Sequence, residues 1–355
     1  MNGHHLILGI QGPELSSEEA KLFEQLQPAG FILFSRNIVE LDQTRSLIEA
    51  LQKLHRDDPI IAIDQEGGRV TRTDAIAPAL PSAPELAAHG NATTVARAGA
   101  LTGELLRHLG FNLNFAPVLD LDHHPDKQNA LRGRCWGRDS QRVIDHAGMW
   151  NRWHRKRHVL TCGKHFPACG RALSDPHFDL PSSSAGRDDL LAEDIIPYTA
   201  LMPELDGIML AHVLFPTIDP ELPASLSPAV VRGFLRDQLG FDRHLVLTDD
   251  LDMGAIADRF PDSQDIIAAL EAGNDLAMIC HRTERAADAA ARIATLPDSL
   301  LGDSEKRLAA FRKKLPGPLF WNADKWQQTC DDITALRDEV PVLTDSTASS
   351  PVADY

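Results

Sequence analysis

The sequence predicts an α/β fold, a single (β/α)8 TIM-type barrel with a short C-terminal extension. Three observations favour it: eight short apolar runs recur along the chain, segments with helical spacing separate them, and 355 residues suit one such barrel. Near-continuous apolar runs are typical of parallel strands buried on both faces. The runs cover residues 5–10, 30–34, 59–63, 112–116, 158–162, 207–211, 245–247 and 275–279.

The segments between the runs carry apolar residues at helical spacing. Examples are Leu47, Leu51 and Leu54, then Leu101, Leu105 and Leu106, then Val230, Val231, Phe234 and Leu235. Strands that alternate with helices indicate a parallel sheet covered by helices, and eight repeats favour closure into a barrel. An open doubly wound sheet is the alternative, but no GxGxxG follows the first run.

We expect the barrel to occupy residues 1–315 and the extension to occupy residues 316–355. The last barrel helix is predicted over roughly residues 303–314, and a short helix around residues 331–337 is expected to dock on the barrel. From residue 340 the chain is rich in Ser, Thr, Asp and Pro, so its end is expected to be flexible.

Composition excludes several classes of protein. A formal net charge of −16 disfavours nucleic-acid binding, and no apolar run approaches the roughly 20 residues of a membrane span. The start of the chain lacks the positive segment of a signal peptide, so a cytoplasmic location is expected. The five cysteines include no CxxC pair, and His123 and His124 are adjacent, so no metal site is expected.

Three runs end in residues that carry chemistry. The third leads into IDQEGGRVTR at 63–72, the fifth into GKHFP at 163–167 with DPH at 175–177, and the seventh into TDD at 248–250. Active sites of barrels are built at the carboxyl ends of the strands, so these segments are the candidate site.

Together with LPSAPEL at 80–86, NFAPVLDLD at 114–122, AHV at 211–213 and TDDLDM at 248–253, these motifs closely resemble the family 3 glycoside hydrolases. The similarity is to the single-domain bacterial β-N-acetylglucosaminidases that trim peptidoglycan fragments in the cytoplasm. It extends from about residue 6 to about residue 279 with order and spacing kept, and the chain leaves no room for the second domain of larger members.

The resemblance implies a retaining β-N-acetylglucosaminidase (β-hexosaminidase) that removes terminal GlcNAc from GlcNAc-anhydro-muramic muropeptides. Asp249 matches the nucleophile, His177 the acid/base, and Asp175 the carboxylate that orients His177. A carboxylate partner raises the pKa of an imidazole, which suits an acid working near neutral pH. Asp250 is expected to support Asp249 through hydrogen bonds.

Five further residues match sugar-binding positions of the family. They are Asp64, Arg72, Arg134, Lys164 and His165. The resemblance implies no cofactor and no metal. The expected partner is a small carbohydrate, a muropeptide or a GlcNAc disaccharide, and the chain is expected to act as a monomer.

The loop that carries Asp175 and His177 departs from the family pattern at Ala168 and Cys169, and at Pro176 between the two. Proline fixes its own φ and restricts Asp175, so the loop is either held more rigidly or displaced. Two alternatives therefore stay open. In the first alternative, the chain is a phosphorylase: inorganic phosphate, which a histidine acid/base would not repel, accepts the sugar. In the second alternative, the chain binds a sugar as a sensor and catalyses no reaction.

Overall fold

A computed structural model describes residues 3–127, 129–172, 180–257, 259–261, 263–317 and 319–343, and these form a closed barrel of eight parallel strands in chain order. Strand β1 pairs with both β2 and β8, which closes the barrel. The predicted fold is therefore confirmed. The strands are β1 Leu6–Gly9, β2 Gly30–Leu33, β3 Ile60–Ile63, β4 Leu113–Asn114, β5 Leu160–Phe166, β6 Gly207–Leu210, β7 Leu245–Asp250 and β8 Leu276–Ile279.

Helices surround the strands and continue beyond the last one. They are α1 Ser17–Leu26, α2 Leu41–Leu54, α3 Ala83–His89, α4 Ala92–Leu109, α5 Ser140–Arg155, α6 Arg187–Ala192, α7 Ile195–Leu201, α8 Gly254–Ala257, α9 Gln264–Ala272, α10 Ala286–Ile293, α11 Asp298–Arg312 and α12 Ala323–Glu339. A π-helix, Ala229–Gln238, lies between β6 and β7. Asn and Ser side chains begin several of these helices, as Ser16 does for α1.

Four elements extend beyond the predicted limits, among them α11, which begins at Asp298 rather than near residue 303. Strand β5 continues four residues past the predicted apolar run and β7 continues three residues, because Lys164 and His165 interrupt the apolar pattern of β5 and Thr248, Asp249 and Asp250 end that of β7. Helix α12 begins at residue 323 rather than near 331. Asn322 caps its start, and the side chains of Trp326 and Cys330 in its first turns are buried.

Alternating strand residues divide the core into two layers. Ile7 belongs to the cluster inside the barrel, whereas Leu6 and Leu8 face the helices. Leu308 and Phe311 of α11 join the inner cluster and close the barrel at the amino ends of the strands. All five cysteines are buried, and no disulfide joins any two of them.

Within the described residues, no helix combines the length and apolarity that crossing a membrane requires.

We expect Phe311→Ala to lower the free energy of unfolding by about 3–5 kcal/mol, because it opens a cavity under the inner core. Phe320→Ala is the matched control: Phe320 is 95% exposed whereas Phe311 is 3% exposed, and the control should stay within about 0.5 kcal/mol of wild type. Urea unfolding measures both. Equal losses would show that α11 does not close the barrel in this way.

Candidate active site

One pocket opens where the strands end at their carboxyl termini, and it gathers all six expected site residues that the structure describes. Its polar wall consists of Asp64, Glu66, Arg72, Arg134, Lys164 and His165, and Asp249 and Asp250 lie beside it. The apolar part of the lining includes Ile32, Phe34, Val70, Met209, Met253 and Met278. The other two expected catalytic residues, Asp175 and His177, lie outside the described residues.

The loop after β3 is shaped by two glycines. Gly67 and Gly68 have φ of +93° and +58°, a backbone conformation that L side chains rarely adopt. Gln65, fully buried, accepts the Arg72 backbone N–H through its side chain, and its own backbone pairs with the Asn114 side chain. The loop is thereby held in one shape, with Asp64, Glu66 and Arg72 directed into the pocket.

Lys164 ties this loop to β5. Its Nζ lies 2.6 Å from Oδ1 of Asp64 and 2.7 Å from Oε1 of Glu66. The Arg134 guanidinium binds both oxygens of Glu66, at 2.8 and 2.7 Å. Such bidentate pairs combine strength with a fixed geometry. The polar wall is therefore an alternating row of buried cations and anions.

Glu66 and Lys164 keep their charges within this row. Burial alone would raise the pKa of Glu66, but Arg134 and Lys164 outweigh burial and hold this pKa well below its ordinary range. Burial also acts to lower the pKa of Lys164, and the Asp64 and Glu66 carboxylates outweigh it and raise the pKa. An ionised pocket wall offers charge-assisted hydrogen bonds to neutral sugar hydroxyls.

Asp120 orients His165. Its Oδ2 accepts the His165 backbone N–H at 2.9 Å and lies 2.8 Å from Nδ1 of the ring, while Oδ1 accepts the Gly170 N–H at 3.2 Å. Because a carboxylate only accepts, Nδ1 carries a proton, and Nε2 lies 3.4 Å from the Arg134 guanidinium, which donates to it. Asp120 acts on the site through His165 rather than by lining the pocket.

Asp249 is the penultimate residue of strand β7, whereas the sequence predicted that it follows the strand. The Asp250 N–H donates to its Oδ1 at 2.8 Å. Burial acts to raise the pKa of Asp249, but the neighbouring His165, His212 and Lys164 outweigh it, so the pKa lies below its ordinary value. The carboxylate is therefore ionised, as a nucleophile must be.

Asp250 is fixed from two sides. Its Oδ1 accepts the backbone N–H groups of Cys280 and Asp252, and its carbonyl lies 2.9 Å from Nε2 of His212. A carbonyl only accepts, so Nε2 of His212 carries a proton, and Nδ1 pairs with Ser225 at 2.7 Å. His212 thus fixes the backbone of Asp250, the residue that follows Asp249.

A candidate ion site elsewhere is explained by ion pairing. Among the described residues, ligand atoms of His123, Glu193 and Asp194 come within 4.8 Å of one another. Arg171 lies 2.5 Å from Asp194 and 2.7 Å from Glu193, and His123 lies 2.8 Å from Asp194. The guanidinium already neutralises both carboxylates.

The sequence motifs contain three residues whose importance sequence reasoning missed: Glu66, Asp120 and His212. Each lies inside one of the motifs that resemble the family, and this position was the only sign in the sequence that the residue belongs to the site. Their partners are distant in the chain, as Asp120 is 45 residues from His165, and local spacing does not reveal such a pairing.

Comparisons with known proteins agree with this geometry. The model of the glycosyl hydrolase family 3 N-terminal domain matches residues 6–310. A β-hexosaminidase of Methylococcus capsulatus is 33% identical over 93% of this chain and 98% of its own, and one of Pseudomonas aeruginosa is 34% identical over 94% and 97%.

Solved structures show the same relationship. The native NagZ crystal structure from Neisseria gonorrhoeae has a TM-score of 0.81 at 27% identity, covering 95% of this chain and 98% of that one. A family 3 β-N-acetylglucosaminidase from Paenibacillus has a TM-score of 0.85 at 31% identity, covering 94% of this chain and 67% of that one. The chain therefore belongs to glycosyl hydrolase family 3, in which its full-length match to β-hexosaminidases identifies a single-domain β-N-acetylhexosaminidase.

Proposed function

We propose that the chain removes non-reducing terminal GlcNAc from peptidoglycan fragments, in which this sugar is β-linked to an anhydro-muramic sugar, in the cytoplasm. The observation that carries the proposal is an ionised Asp249 beside a wall of buried charges in a pocket of this family. The muramic aglycone and the location are supported by the resemblance to the peptidoglycan-trimming branch.

In the first step, Oδ of Asp249 attacks the anomeric carbon while the bond from that carbon to the aglycone oxygen breaks. The departing oxygen takes a proton from His177, whose charge Asp175 stabilises. In the second step, His177 removes a proton from water, the water oxygen bonds to the anomeric carbon, and Asp249 leaves as a carboxylate. Two inversions give net retention.

The polar wall orients the sugar for this attack. Among the described residues, Asp64 and Glu66 accept two of the three N–H bonds of Lys164, which leaves one to reach a hydroxyl. The Asp64 side chain is 15% exposed and that of Glu66 is 5% exposed. Asp64 is therefore the carboxylate better placed to accept from substrate, whereas Glu66 fixes Lys164 and Arg134.

The first prediction concerns the substrate. The wild-type chain should release free GlcNAc from a GlcNAc-anhydro-muramic disaccharide, and chelator should not change the rate. A β-glucoside lacking the acetamido group should react at least about 10²-fold more slowly, because a site that hydrogen-bonds a substituent rejects the analogue without it. Product is identified by mass with and without inorganic phosphate. Sugar 1-phosphate as the product would replace hydrolysis by phosphorolysis, and no turnover would favour the sensor.

The second prediction concerns Asp249. Replacing its nucleophilic oxygen in Asp249→Asn should reduce turnover on the order of 10⁴–10⁶-fold. A slow 2-fluoro sugar donor should leave a covalent adduct on the wild-type peptide that contains residues 248–253, located by mass spectrometry. The same incubation with Asp249→Asn is the control. An adduct on a different carboxylate would reassign the nucleophile.

The third prediction concerns His177, the proposed acid. A sugar alcohol needs a proton to leave, whereas a nitrophenolate does not, so His177→Ala should slow disaccharide hydrolysis by about 10²–10⁴-fold and affect a nitrophenyl glycoside far less. Asp175→Ala should show the same contrast, with a lower pKa for the acid in the pH profile. Wild-type rates on the disaccharide in both variants would mean that another group supplies the proton.

A further inference from the structure

The C-terminal helix α12 is joined to helix α3, which follows the β3 loop in the chain. Arg337, near the end of α12, binds Glu85 of α3 with N···O distances of 2.6 and 3.3 Å. The Leu343 N–H donates to the same carboxylate at 3.2 Å. The Glu85 side chain is fully buried. Its ion pair with Arg337 joins the extension to the start of α3.

Glu85 also shapes the chain before it. Its Oε2 accepts the Ser82 backbone N–H at 2.8 Å, and its own N–H donates to Oγ of Ser82 at 3.4 Å. This reciprocal capping box begins α3. One carboxylate thus connects Arg337 of the extension with the backbone of Ser82.

Ser82 in turn lies against the glycine turn of the β3 loop. A Cβ at Gly68 would come within 2.4 Å of Cβ of Ser82, and the Gly68 N–H donates to the Leu80 carbonyl at 2.9 Å. There is no free space between the turn and residues 80–82. The turn is flanked by Glu66 and Val70, which line the pocket.

We propose that Arg337 is a positioning residue for sugar binding: through Glu85 and Ser82 it holds the glycine turn, and with it the carboxylates of the polar wall. The C-terminal extension is then a working part of the sugar pocket. The inference rests on the proposed role of that wall in binding the sugar.

Loss of the guanidinium would leave the buried Glu85 carboxylate without its charged partner. The start of α3 and the turn that rests on it would then shift. A misplaced binding group weakens orientation of the substrate by roughly 10–10²-fold. We expect the effect mainly in KM and in the affinity for free GlcNAc, because the ion pair does not contact Asp249.

The test compares Arg337→Gln with Arg97→Gln. Arg97 of α4 also binds α12, at Glu339 and at the Asp332 carbonyl, but it does not contact Glu85. Each variant removes one cation between α12 and the barrel. KM and kcat on a chromogenic β-N-acetylglucosaminide, and the Kd of GlcNAc by calorimetry, are measured well below the melting temperature of each variant.

Arg337→Gln should raise KM and the Kd of GlcNAc by at least about 10-fold with kcat within about threefold of wild type. Arg97→Gln should leave both constants unchanged, and Arg337→Lys should restore part of the affinity. Equal effects of Arg337→Gln and Arg97→Gln, or wild-type constants in Arg337→Gln, would overturn the proposal. If Arg337→Gln does not fold, Arg337→Lys decides by the same comparison.

Two more variants separate this proposal from the one it rests on. A Glu85→Gln, Arg337→Gln double variant should bind GlcNAc no more weakly than the weaker-binding single variant, since both act through one contact. Additive losses would contradict the connection. Asp64→Asn tests the polar wall itself: unchanged GlcNAc affinity there would overturn the wall's assignment, whatever Arg337→Gln shows.

Discussion

The Lys164 ammonium group, placed between the carboxylates of Asp64 and Glu66, is the interaction on which the rest of the pocket depends. Without it, two carboxylates would face one another in a buried wall, and burial of like charge is costly. The same ammonium contributes to the low pKa of Asp249. Lys164 and Asp249 lie in β5 and β7, and Asp64 directly follows β3, so alternate strands of the barrel bring the three side chains together. One cation therefore joins the carboxylates of the polar wall to Asp249, the proposed nucleophile.

Most of the fold could be predicted because apolar runs and helical spacing are local properties of a sequence. The side on which each site residue faces could not be predicted in the same way. Lys164 and His165 are neighbours and both line the pocket, although neighbours in a regular strand face opposite sides. The register of β5 against β6 shifts between Gly163 and Phe166, which interrupts the alternation. Contacts such as that of Asp120 depend on the closed barrel, so no local pattern contains them.

The structure shows where two departures from the family pattern, Ala168 and Cys169, lie. Ala168 and Cys169 are buried, and Cys169 begins a single 3-10 turn whose Gly170 N–H donates to Asp120. The carboxylate that orients His165 thus also holds the start of the segment leading to the proposed acid. Small buried side chains are compatible with that turn, because they pack without changing its hydrogen bonds. The changes at residues 168 and 169 lie in the packed base of the loop rather than on the pocket wall.

Closure of the barrel has a consequence for biosynthesis. The first and last strands pair with each other, and His5 binds the Asp275 carbonyl across 270 residues of chain. At typical rates of translation, the ribosome takes on the order of 10–50 s to make that interval. During this time the outer edge of β1 has no partner strand, and an open apolar edge invites pairing with other chains. We expect the yield of folded enzyme in a cell to depend on how well that edge is shielded until β8 emerges.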